Sequence, residues 1–249
     1  MSAKTDGIGR EFLDGTRAEF MTPSDQMLGL PQPLLELSAG DGAVIPLPDP
    51  AEFEVPALDL WEAIVRRESI REFAHEPLSL DELSYLLFAT QGVRSVVGGE
   101  YTLRTVPSAG ARHALETYLL INRVEGVPHG LYRYSALDHR LLEVDRSPLV
   151  DQRIVAACYR QPFIEESAAV FLWTAVPYRM TWRYGERGYR YLFLDAGHVC
   201  QNLYLAAEPI GCGVCAVGAF DDEAIGRALG LDDEQFLVYV GAVGRRRSH

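Results

Sequence analysis

The sequence predicts an α+β layer fold. Helical and strand-like apolar periodicities are mixed along the chain, and their order does not repeat as β-α-β units. The run 168–176 is continuously apolar, as a strand at the centre of a sheet is, and the segment 189–207 is apolar on most faces, as a central helix is. The 249 residues are 48% hydrophobic, enough for a sizeable core. A net charge of −12 disfavours nucleic acid or anionic lipid as a bulk partner. No apolar run approaches the roughly 20 residues of a membrane span, and the first fifteen residues lack the apolar segment of a secretory signal. Four cysteines in a chain of this length do not make a disulfide framework, so the expectation is a cytoplasmic globular protein.

In chain order, residues 1–56 are rich in Pro, Gly and Asp and read as an extended arm, either docked or mobile, ahead of a folded domain over 57–249. ALDLWEAIVRRE has helical spacing, with Asp59 near its start. Ser79 with Glu82 three residues on predicts a capping box for a helix ending at Gln91-Gly92. A loop containing Gly98 and Gly99 follows, and HALETYLLINRV reads as helix-to-strand or all strand, with 118–122 chosen as strand. Short strands are expected at 130–134 and 140–144, paired across a turn at 136–139, then a helix from Pro148 to Cys158. After the central strand and helix, Pro209 and Gly211 stop the chain's direction. A strand at 213–217, a capped helix at 221–229 and a last strand at 236–243 complete the order.

Five segments could carry chemistry. In RRESIREF, Arg66, Arg67 and Arg71 with Ser69 offer forked donors and a hydroxyl to a phosphate; the same arginines could instead offset a helix dipole and pair with Glu68 and Glu72. In RTVPSAGARH, small residues permit close approach to a flat ligand, or form an ordinary loop. GCGVCAVGAF contains a C-x-x-C pair, Cys212 and Cys215. It lacks the second ligand pair of a zinc site and the strand-to-helix placement of a thioredoxin pair, so packed strand cysteines are expected and no metal. In WRYGERGYRY, tyrosines that can move protons stand beside arginines that can stabilise a phenolate; the same residue types also favour interfaces. VGRRR closes the chain with a basic tail, solvated or folded over a phosphate.

In this order the segments resemble the nitroreductase superfamily, and within it the SagB-type dehydrogenases, which oxidise peptide thiazolines and oxazolines to thiazoles and oxazoles. The likeness runs from about residue 46 to 247, and PSAGARH and YGERGYRY are its specific pieces. It implies the nitroreductase-like fold, a mixed central sheet flanked by helices with the long helix at a dimer interface, and a homodimer with FMN bound between subunits. By match to the family pattern, Arg67, Ser69 and Arg71 would hold the phosphate and ribityl end, completed by Arg245 or Arg247. Pro107, Ser108 and Ala109 would reach the flavin from the other subunit. Gly218, flanked by Val217 and Ala219, would offer its N–H to flavin N5, and Gln161 would meet the pyrimidine edge. The flavin supplies the redox step and the protein supplies position and field.

The sequence departs from the family at one position. Where azoline dehydrogenases carry a Lys-Tyr pair, this chain has Arg183-Tyr184. Arginine stays protonated, so Tyr184 is the expected base, with Arg183 beside it. The expected reaction is proton removal from a thiazoline, oxazoline or related unit with hydride transfer to flavin N5. The alternatives are an NAD(P)H-dependent nitro, quinone or ene reductase, and a flavin-binding subunit of a biosynthetic complex.

Overall fold

A computed structural model describes residues 7–247. Seven strands form one sheet in the order β1-β6-β5-β4-β7-β9-β8: β1 (Val44–Pro46), β4 (Leu115–Ile121), β5 (Gly130–Ser135), β6 (Arg140–Asp145), β7 (Ala169–Ala175), β8 (Cys212–Val217) and β9 (Phe236–Arg245). Every ladder in it is antiparallel, and parallel pairing is confined to isolated bridges such as Ser69↔Val214. The central strand expected at 168–176 is β7, paired with β4 on one side and β9 on the other. Its side chains alternate between two cores, as a strand's must. Phe171 and Trp173 enter the core shared with α3 (Leu80–Gln91) and α7 (Gly188–Ala207), while Val170 and Leu172 enter the core shared with α4 (Val150–Ala157) and α8 (Asp222–Leu229).

The remaining elements are α1 (Ile8–Gly15), α2 (Leu60–Arg66), the hairpin β2 (Val93–Val97) with β3 (Tyr101–Arg104), α5 (Pro162–Glu166) and α6 (Pro177–Tyr184). Local signals explain the termini. Asp59 caps α2 through the N–H groups of Trp61 and Glu62, and Ser79 with Glu82 forms the expected capping box on α3. Asp221 caps α8 through Ala224 N–H, and Gly230 closes it at φ +68, a conformation glycine adopts without a Cβ clash.

The structure goes beyond the sequence reading in four places. The segment after the glycines is all strand from Leu115, three residues before the chosen start. Gly98 and Gly99, at φ +59 and +74, turn a hairpin rather than an irregular loop. Pro177 at the first position of α6 makes the approach to the long helix helical itself. Residues 7–56 lie on the chain's own body. Gln26 N–H donates to Trp182 O at 2.8 Å, Trp182 Nε1 to Leu30 O at 3.1 Å, and Arg179 Nε to Leu34 O at 2.8 Å. The arm therefore runs along α6. No helix among the described residues is long and apolar enough to cross a membrane.

α7 buries Leu192, Asp195, Ala196, Val199, Cys200, Leu203 and Tyr204 at helical spacing against the sheet. Phe193 and Leu194 on its other side stay 53% and 59% exposed, and α2 likewise exposes Leu60, Trp61 and Val65.

Candidate functional site

Beyond the end of α2 the chain runs alongside β8: Ile70 N–H donates to Val214 O at 2.9 Å, and Phe73 bridges to Arg246. This places the RRESIREF segment beside the chain's basic end. Ser69, Ile70 and Arg71 line a pocket of about 440 Å³ with Arg246 and Arg247, flanked by Glu68 and Glu72, which pair with the two tail arginines. Tyr204, near the C-terminus of α7, organises its wall. Its hydroxyl lies 2.9 Å from Ser69 Oγ and accepts Ala216 N–H at 2.9 Å, and the Arg67 guanidinium stands 5.3 Å from its ring centroid. Among the described residues neither Arg67 nor Arg71 has a carboxylate within salt-bridge distance, whereas Arg246 pairs with Glu208 at 2.5 Å and Arg247 with Glu72 at 3.4 Å. Arg71 and Ser69 at the pocket, with Arg67 beside Tyr204, offer two guanidiniums unpaired among the described residues and a hydroxyl, donors that suit a phosphate.

The two basic-tail candidates separate. Arg247 lines the pocket, and its Nε donates to Phe73 O at 3.0 Å. Arg245 is committed elsewhere: it donates to both carboxylate oxygens of Glu82 at 2.6 Å and to Ile210 O at 2.6 Å. It braces α3 against the chain entering β8.

At the far end of β8, Val217 is buried while Gly218 and Ala219 are exposed. No protein acceptor takes the Gly218 N–H among the described residues, and a Cβ added there would meet only Tyr239, at 4.0 Å. Gln161 joins this edge by donating to Ala219 O at 3.2 Å and to Cys158 O at 3.0 Å. Cys212 and Cys215 lie three apart on one strand and so enter opposite cores; burial pushes the Cys212 thiol up to about 12.

The PSAGARH loop and the WRYGERGYRY segment meet at Gly110. A Cβ there would lie 2.5 Å from the Tyr184 hydroxyl and 2.8 Å from Arg183 Nε, so those side-chain ends would have to move, and φ is +57, a conformation that favours glycine. Tyr184 packs edge-on against Tyr191 at 4.9 Å, with the Arg183 guanidinium 5.7 Å from its ring. Ser108 Oγ accepts His113 N–H at 2.9 Å, and Ala109 N–H donates to Asp195 Oδ1 at 3.3 Å. Asp195 sits on α7, 5% exposed. Burial pushes its carboxyl up against the pull of the Ser108 and Ala109 hydrogen bonds, and its Oδ2 has no partner. Loop 107–110 is thereby fixed to the helix.

Within one chain these parts form two groups. Arg67, Ser69, Arg71, Arg247, Val217, Gly218, Ala219 and Gln161 lie around β8 and the Tyr204 end of α7. Pro107, Ser108, Ala109, Arg183 and Tyr184 gather near Asp195, nine residues earlier on α7, or about 14 Å along its axis. The sequence reading missed Tyr204 and Asp195: both look like ordinary members of a helix until that helix's neighbours are known.

Comparisons with known proteins come to the same family. The nitroreductase family model matches residues 64–245. The Methanocaldococcus jannaschii protein "Putative nitroreductase MJ1384" is 37% identical over 207 residues, covering 83% of this chain and 98% of that one. The trifolitoxin-processing protein TfxB of Rhizobium leguminosarum bv. trifolii is 29% identical over 174 residues, 64% of this chain; the match spans 47% of that protein's length. The crystal structure of "a putative nitroreductase" from Ralstonia eutropha superposes with a TM-score of 0.69 at 26% identity, covering 88% of this chain and all of that one.

Proposed function

Since the chain belongs to the nitroreductase family and is an oxidoreductase, we propose that it binds FMN and acts as a SagB-type dehydrogenase on a thiazoline, oxazoline or related substrate. The observation that carries this reading is the junction at Gly110, where the PSAGARH loop closes on Arg183 and Tyr184. It brings a proton-accepting phenol to a loop of small residues that can lie against a planar ring. The likeness to a toxin-processing protein supports the same branch.

The residues fit FMN. Arg67 and Arg71, unpaired among the described residues, with Ser69 and Arg247, would hold its phosphate. Gly218, whose N–H has no acceptor among the described residues, would face the ring edge, and Gln161 would stand beside it. When bound, the flavin supplies a two-electron acceptor at N5. The protein's own part is to hold the substrate, keep water out and receive a proton at the Tyr184 oxygen, which acts as a phenolate and becomes the phenol. Arg183 stands beside that phenolate before the transfer.

The proposal includes a homodimer. The two groups of site residues lie about 14 Å apart along α7 in one chain, so a partner's 107–109 loop would complete the site around 67–71. The exposed Trp61 and Val65 on α2 and Phe193 and Leu194 on α7 are the apolar surface such a partner would cover. A cytoplasmic setting is part of the reading, with all four cysteines free and buried.

A second reading, an NAD(P)H-dependent nitro, quinone or ene reductase, is favoured by Arg183 in place of the lysine and by the archaeal relative matched over nearly its whole length. Anaerobic addition of NADPH and NADH to the yellow protein separates the two. A flavin that resists both coenzymes supports the dehydrogenase, and one that bleaches at once supports the reductase. Tyr184→Phe should retain flavin and lose azoline turnover; unchanged turnover removes Tyr184 from the mechanism.

A further inference from the structure

The junction at Gly110 holds two guanidiniums with no carboxylate in salt-bridge contact among the described residues. Arg112 is 6% exposed, its guanidinium 5.4 Å from the Trp182 ring centroid, and its hydrogen bonds go only to backbone oxygens, Nε to Gly110 O at 3.2 Å and Nη2 to Glu100 O at 3.4 Å. Arg183 is exposed, meets the same Gly110 from the other side of the contact, and makes no hydrogen bond or ion pair among the described residues. Neither arginine has a carboxylate within 4.0 Å among the described residues; the fields of Tyr184 and, more weakly, of the Glu100 side chain reach Arg112. Some arginines on this acidic surface take partners, as Arg66 does Glu62 and Arg140 does Asp138, while the exposed Arg71, Arg94 and Arg160 have no carboxylate partner among the described residues; what sets the Gly110 junction apart is that its two guanidiniums face each other. Burial and the facing Arg183 lower the proton affinity of Arg112 against the smaller opposing fields of Tyr184 and Glu100, which means the pair repels itself in a partly desolvated place. An anion placed at the exposed guanidinium relieves that repulsion and gains forked, charge-assisted hydrogen bonds.

We propose that Arg183, backed by the buried charge of Arg112, binds a carboxylate on the substrate beside Tyr184. This deepens the dehydrogenase reading and rests on it for the orientation of the reacting carbon. It also narrows the substrate class. An azoline inside a peptide carries a neutral amide next to its ring and offers these arginines no ion. A heterocycle with a free carboxylate, either a small acid or the C-terminal unit of a peptide, matches the charge that the site lacks.

The test uses non-reacting, product-shaped probes on the flavin-loaded protein, with binding read by calorimetry and by perturbation of the flavin absorption band. Thiazole-4-carboxylate should bind at least about tenfold more tightly than thiazole-4-carboxamide, the low end of what a charge-assisted hydrogen bond contributes. The preference should vanish in Arg183→Met, survive in Arg183→Lys and weaken with added salt. A peptide ending in the thiazole acid tells the two sources apart: binding as tight as that of the free acid assigns a peptide end, and loss of binding assigns a small acid. Equal affinities for acid and amide, or a preference that persists in Arg183→Met, overturn the proposal. The spectrum of the same sample tests the cofactor separately. A colourless protein that refuses FMN sinks the flavoprotein reading, and the acid-over-amide preference is then scored by calorimetry alone.

Discussion

Acidification should weaken this fold through one histidine. His113 ends the PSAGARH loop, and its pKa is lowered from 6.5 to about 3, first by burial and then by the nearby Arg104 and Arg112 charges, with a hydrogen bond to the Thr102 backbone opposing them. The folded chain therefore keeps it neutral while the unfolded chain protonates it near pH 6.5. Because the folded value is the lower one, the full contribution is present above pH 6.5 and is lost as pH falls from there toward 3. For these two values the loss is about 2 kcal/mol at pH 5 and tends to about 5 kcal/mol below pH 3. Against a total stability of about 5–15 kcal/mol, the first of these is already easy to measure. The assay is urea unfolding at pH 7.5 and pH 5.0, for the natural chain and for His113→Asn. Asparagine tolerates the φ of +45 at this position, and comparing each protein with itself across pH cancels any general cost of the substitution. Groups elsewhere, such as Glu36, whose carboxyl is pushed up by burial, contribute equally to both proteins. The variant should be about 2 kcal/mol less sensitive to this pH step. Parallel pH slopes would show that His113 is not held neutral and would refute the argument.

The divided basic tail gives a paired test. Arg245→Met removes both bonds to Glu82 and should cost about 2 kcal/mol, below the range for a fully buried pair because the arginine is partly exposed, and leave FMN affinity unchanged. Arg247→Ala should weaken FMN binding about tenfold in a fluorescence titration with little change in the unfolding midpoint of the flavin-free protein. Gly110→Ala places a methyl group 2.5 Å from the Tyr184 hydroxyl at a φ that alanine resists. It should lower stability by about 1–3 kcal/mol and turnover at least tenfold, measured by thermal melting and steady-state assay.

Local chemistry made much of the fold legible. The Ser79–Glu82 capping box, the Asp221 cap, the apolar run that became β7 and the paired β5 and β6 all depend on residues close in sequence, and all formed as read. The β2–β3 hairpin was missed because only its two turn glycines advertise it: β2 faces solvent along most of its length and so lacks a clean apolar alternation. α6 was missed because Trp182, Arg183 and Tyr184 suggest chemistry before they suggest a helix. At the site, residue types pointed to a phosphate-like cluster and a tyrosine. They could not divide Arg245 from Arg247, since that depends on Glu82 arriving from α3 more than 160 positions earlier. They gave no sign of Tyr204 or Asp195 either, whose roles come from what lands on α7 and not from α7 itself.

One helix ties these observations together. α7 receives the phosphate-type segment through Tyr204 and the PSAGARH loop through Asp195, and α6 leads almost directly into it. α6 in turn is held along Arg179 and Trp182 by the arm, and at Arg183 and Tyr184 by Gly110. A proton-accepting side chain must be placed to within about half an ångström to act, and a loop alone rarely does that. Here Tyr184 ends a helix clamped by two other segments, and the loop opposite it is bonded to the next helix. The buried carboxyl of Asp195, with one oxygen unpartnered, is a cost the fold carries at this place. Its bond from the Ala109 N–H is what that cost secures: a fixed distance between the small-residue surface and the rest of the site.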